Sequence, residues 1–81
     1  MIVATHNIHN DEPRILRQVS SPSRWLVKVW VSDGEVKTER SIKSGRCLLS
    51  ELLPVAADEI DDMLAESDGY VDGGFTVVRL R

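Results

Sequence analysis

Arg24-Trp-Leu-Val-Lys-Val-Trp-Val-Ser32, followed by Asp33-Gly34 and then by Glu35-Val-Lys-Thr-Glu-Arg-Ser-Ile-Lys43, is the stretch that decides the fold. Both runs alternate apolar with polar residues, and the first is rich in β-branched and aromatic side chains, as strands with one buried face are. An Asp-Gly pair between such runs predicts a β-hairpin closed by a type I′ turn, whose two central residues need positive φ. A two-residue turn would pair Val31 with Val36, Val29 with Thr38, Val27 with Arg40 and Trp25 with Ile42. That register puts Trp25, Val27, Val29 and Val31 on the buried face, and Trp30 on the outward face opposite Lys37, with Lys28 opposite Glu39. Arg40 is the misfit on the apolar side, and an edge position would let its stem be buried while the guanidinium stays in water.

Downstream, Leu49, Leu52, Leu53, Ala56, Ile60, Met63 and Leu64 recur with the spacing of one helical stripe. Pro54 interrupts it, removing a backbone donor and crowding the preceding turn, which predicts a kink or two short helices. Gly69 is placed to terminate the helix. Phe75 to Arg81 is a strand by composition, entered through Asp72-Gly73-Gly74, where the two glycines suggest a turn. Ile2 to Thr5 reads as a strand, while residues 13–19 fit either a strand or one short helix. The expected fold is therefore α+β. An antiparallel sheet of three or four strands would carry one helix, Pro-kinked or split, on its Trp25/Val27/Val29/Val31 face.

Eighty-one residues with a 42% hydrophobic share predict one small domain over residues 1–81, near the lower size limit for a self-sufficient core. Cys47 is the only cysteine, so no internal disulfide can form, which fits a reducing compartment. The opening residues lack the basic region of a signal peptide, and no apolar run approaches the roughly 18 residues of a membrane span. The expected location is the cytoplasm.

Charge is unevenly spread. The net charge is −3, yet no Lys or Arg occurs from Cys47 to Val78, a stretch that holds eight acids. Asp58, Glu59, Asp61, Asp62 and Glu66 would fan over the solvent side of the helix, and such a block is either a solvated face or a docking surface for a basic partner. Clustered basic residues are what phosphate recognition needs, so an acidic chain argues against direct nucleic-acid binding, the alternative being a sheet face shared by Arg14, Arg17, Arg24, Lys28, Lys37, Lys43 and Arg46.

Motifs for chemistry are sparse. His6, His9 and Asp11 have the residue types of a zinc site, but a strand would turn the two histidines apart and no further ligand stands at a known spacing. Cys47 beside Arg46, at an expected helix start, has the setting of a lowered thiol pKa. There is no Ser-His-Asp pattern, phosphate-binding glycine loop or calcium loop. The leading expectation is a non-enzymatic protein-binding module without cofactor or metal. Its acidic helix face (Asp58, Glu59, Asp61, Asp62, Glu66) and Trp30 would dock on a protein with a basic surface, such as a nucleic-acid-binding enzyme or complex. One alternative is a homodimeric structural or regulatory subunit held by a sheet edge, and a second is a small enzyme or metal-binding protein using Cys47 or His6 and His9. In length, acidity and lack of motifs the chain resembles small inhibitors encoded by phages and mobile elements, anti-CRISPR proteins among them. That resemblance involves no motif and no individual residue, and it implies an inhibitor that docks on another protein.

Overall fold

The computed structural model describes residues 1–67 and 69–80. Five strands and one helix follow in the order β1 (Ile2–Asn7), β2 (Arg14–Ile15), β3 (Arg24–Ser32), β4 (Lys37–Lys43), α1 (Leu49–Glu66) and β5 (Asp72–Leu80). The strands form one antiparallel sheet in the order β2-β1-β5-β3-β4. The α+β class stands, with five strands where three or four were expected. The additional strand is β2, a two-residue ladder on β1 (Ala4 with Ile15, Thr5 with Arg14). Leu16 and Arg17 continue the contact by donating their backbone N–H groups to the Val3 carbonyl. Backbone pairing this short leaves no side-chain periodicity behind, so composition could not show it.

The hairpin forms between the expected strands but in a different register. Val31 pairs with Thr38, Val29 with Arg40 and Val27 with Ile42, a slip of two residues, and the loop is Asp33–Val36. Asp33 is the cause. Its carboxylate accepts the backbone N–H groups of Glu35 (2.9 Å) and Val36 (2.8 Å), closing a wider turn by an Asx-type interaction. Among the described residues only Gly34 (φ +99) and Gly69 (φ +84) have positive φ, so a type I′ turn, which needs it at Asp33 too, is not formed. A slip of two keeps every residue on its own side, and the buried set Trp25, Val27, Val29 and Val31 is as the alternation predicted.

α1 is one helix from Leu49 to Glu66 with Pro54 inside it, rather than two short ones. Pro54 stands in the second turn and is exposed, as is Ser50, whose carbonyl loses its partner. Water can satisfy that oxygen, so the proline is tolerated. The apolar stripe packs as expected: Leu49, Leu52, Ala56, Ile60 and Met63 are buried and Leu53 and Leu64 partly so, against β3 and β5. Beneath them runs an apolar row across all five strands, Ile15–Ala4–Val77–Val27–Ile42. A bulge between Ile2 and Ala4 lets consecutive Val3 and Ala4 both enter the core.

Gly73 and Gly74 lie within β5 and do not form the turn that their composition suggested. Position 74 admits only glycine, because a Cβ there would collide with the His6 carbonyl oxygen of the adjacent strand. Gly74→Ala is therefore expected to force β1 away from β5 and to lower the urea midpoint sharply, whereas Gly45→Ala, with open space around it, leaves it near the parent value. Ile60→Ala is expected to cost about 2–5 kcal/mol in the same titration, from the cavity left over β5.

Candidate binding surfaces

Because α1 covers one face of the sheet, the other is open. Alternation along β3 sends Leu26, Lys28 and Trp30 to the open side, and the register carries three rows across it. Ile2, Val78, Leu26 and Lys43 make the first, Arg14, Thr5, Thr76, Lys28 and Ser41 the second, and Asn7, Gly74, Trp30 and Glu39 the third. The surface combines an apolar end, a half-buried tryptophan and the exposed cations Arg14, Lys28, Lys37 and Lys43.

Trp30 is cross-strand to Glu39 in place of Lys37, a consequence of the register slip. Lys37 still reaches it, with Nζ 4.9 Å from the ring centroid in a cation–π contact, while also lying 3.1 Å from Glu39 Oε1. Gly74 leaves no side chain between Asn7 and Trp30. A depression of about 290 Å³ opens there, lined in part by Thr5, Asn7, Arg14, Trp30 and Thr76.

The acidic helix face lies on the far side of the sheet from Trp30. The structure thus separates the two parts of the surface expected from sequence, and it divides the acids as well. Glu59 and Glu66 are engaged by Arg40, whose Nη1 lies 2.6 Å from Glu59 Oε1 and Nη2 3.2 Å from Glu66 Oε2. The hydrogen bond that the guanidinium donates to Glu59, then that to Glu66, raises its pKa. Arg40 projects from the covered face of β4, the position that looked anomalous in the hairpin pattern. Its partners, 19 and 26 residues away, carry no local signal. Asp58, Asp61 and Asp62 remain exposed, and none has a cation within ion-pair distance among the described residues.

Cys47 and the histidines are not brought together. Cys47 is bridged to Ser23 at the start of β3, with reciprocal backbone hydrogen bonds of 2.9 and 3.0 Å, and its carbonyl accepts Trp25 Nε1 at 2.9 Å. His6 lies in the row of Phe75 and Val29, about 20 Å further along that strand at ~3.3 Å per residue. Its ring packs on Phe75 with centroids 5.3 Å apart, and its buried Nδ1 has no hydrogen-bond partner among the described residues. His9 is exposed, with Nε2 3.1 Å from the Val71 carbonyl oxygen and 3.5 Å from Asp72 Oδ1. Among the described residues no three His, Cys, Asp or Glu side chains are grouped to hold one metal ion. No helix is long and apolar enough to cross a membrane.

Comparison with protein-family models, with curated proteins and with solved structures returned no match.

Asp72 joins β5 to β1 and gives a pH dependence. The Asn7 amide, then the Gly73 N–H, and more weakly His9, hold its carboxyl below the usual carboxylate range, against a small opposing effect of burial. A carboxyl whose pKa is lower folded than unfolded stabilises the fold above the unfolded value, about 3.9. That contribution disappears as the pH falls through the lower folded value. Stability from urea titrations is thus expected to drop between pH 5 and pH 3, roughly the carboxylate range, and less steeply in Asp72→Asn. Equal slopes in parent and variant would remove Asp72 from the account.

Proposed function

We propose that this chain is a non-catalytic protein-binding module whose working surface is the open sheet face, with Trp30 as its anchor. The observation that supports this is a half-buried tryptophan beside a depression, where Arg14, Lys28, Lys37 and Lys43 outnumber Glu12 and Glu39, on a face that no helix covers. Aromatic anchors seated among peripheral charges are the usual composition of a binding hot spot. The partner that fits is a protein with an acidic surface and a recess for the indole. A nucleic acid fits less well: one aromatic makes a poor stacking track, the end of the face is apolar (Ile2, Val78, Leu26), and the net charge is −3. A homodimer through the sheet edges is also disfavoured. β4 presents Lys37, Glu39, Arg40 and Lys43, and β2 is two residues long, both features that oppose strand addition.

A second reading keeps the partner with a basic surface, an inhibitor's target among the candidates. It is favoured by the exposure of Asp58, Asp61 and Asp62 with no ion-pair partner among the described residues, and it makes α1 the docking element. The two readings separate by mutation. Capture from a lysate of the native host is compared for the parent, Trp30→Ala, Lys28→Ala/Lys43→Ala and Asp58→Asn/Asp61→Asn/Asp62→Asn, and the captured protein is then purified for kinetics. On the first reading Trp30→Ala raises the dissociation rate tenfold or more, roughly the loss of one hot spot. The lysine pair slows association and flattens its salt dependence, while the aspartate triple changes neither. Loss of capture in the aspartate triple alone selects the second reading. Tight binding of a single-stranded oligonucleotide by the parent would overturn both.

A further inference from the structure

Arg24, Arg46 and Arg79 come from three separate segments: the first residue of β3, the loop before α1, and β5. They line one cavity of about 790 Å³ at the end of the sheet, together with Ser23, Pro22, Leu80 and Met1. Among the described residues no carboxylate lines it, and none of the three arginines has an ion-pair partner. In a chain with 13 acids and 10 Lys and Arg, this is an unusual concentration of positive charge with no described acid beside it. Arg40, by contrast, holds two glutamates. Guanidinium groups gathered around one space repel one another, a cost that an anion bound between them would offset.

The frame around these arginines is well tied. Arg79 Nε donates to Ser23 Oγ at 3.0 Å, and Ser23 is 6% exposed. Both backbone groups of Ser23 bond to Cys47, the neighbour of Arg46, and the Trp25 indole donates to the Cys47 carbonyl. The loop bearing Arg46 is thereby clamped to the strand bearing Arg24, and the core tryptophan forms part of the clamp.

From this convergence we infer that the cavity binds a small phosphorylated molecule, with the arginines holding the phosphate and Pro22 and Leu80 forming an apolar wall for the organic portion. Arginine forks match phosphate oxygens in pairs, and charge-assisted hydrogen bonds of this kind are the strong ones. A volume of about 790 Å³ falls within the range of small-molecule sites, roughly 300–1,000 Å³, and exceeds what one phosphate fills. The site lies at the sheet end, about 20 Å along β3 from Trp30 at ~3.3 Å per residue, and does not depend on the reading of the Trp30 surface.

The test is calorimetric titration of the full chain with inorganic phosphate, glucose 6-phosphate and adenosine monophosphate. The expected result is binding that weakens with salt, tighter for an ester than for inorganic phosphate, and the two esters distinguish a sugar phosphate from a nucleotide as the source. Arg24→Gln and Arg46→Gln change exposed residues, so they are expected to melt like the parent while losing about tenfold or more in affinity. Arg17→Gln, which removes an exposed cation elsewhere, leaves affinity unchanged. Absence of binding by all three ligands up to about 10 mM, a level corresponding to less than about 2.7 kcal/mol of binding energy, overturns the inference. Parent-like affinity in both cavity variants, or an equal loss in Arg17→Gln, overturns it as well.

Discussion

One helix has to bury the apolar face of a five-stranded sheet, and most of the architecture follows from that constraint. At about 1.5 Å per residue an 18-residue helix is some 27 Å long, close to the roughly 30 Å of the nine-residue central strands β3 and β5 on which it packs. α1 can therefore cover one face and has nothing left for the other. The apolar row Ile15–Ala4–Val77–Val27–Ile42 lies on the covered side, with Trp25, Val29 and Phe75 beside it. The opposite side must meet water, so its residues are mixed, and the half-buried Trp30 stands out there.

The same division sorts charge. The cations of the open face, which outnumber Glu39 there, come from strands, and Asp58, Asp61 and Asp62 come from the helix, with the sheet between them. Arg40 alone crosses over, fastening the edge strand β4 to Glu59 and Glu66. Glu66 lies in the last turn of α1, where the helix dipole disfavours an acid and no basic residue of the helix offsets it. The guanidinium supplies that positive charge from another element. What remains is a molecule positive on one side and negative on the other, an arrangement that orients a charged partner during encounter even where it adds little to the final affinity.

β5 is the other organising feature. Last in sequence, it lies at the centre of the sheet between β1 and β3, and Gly74 allows β1 to approach closely enough for pairing. Its far end brings Arg79 to Ser23 and so to the arginine cavity, while its beginning brings Asp72 to Asn7. Both ends of the sheet are thus defined by contacts between the two ends of the chain.

The inward faces of β3 and α1 were legible in the sequence alone, because a strand repeats every two residues and a helix every 3.6, and burial imposes those periods on apolar residues. That is why the buried valines and the helix stripe matched although the hairpin slipped by two: a shift of one full strand period changes partners but not faces. Local periodicity says nothing about which elements pair, on which side of the sheet a helix lies relative to an outward residue, or what meets at a sheet end. Thus the insertion of β5, the two-residue β2, the pairing of Arg40 with acids 19 and 26 residues away, the separation of Trp30 from Asp58, Asp61 and Asp62, and the meeting of Arg24, Arg46 and Arg79 were decided only by tertiary structure. Each is a relation between distant segments, set by how the covered face is filled and not by any pattern within one segment.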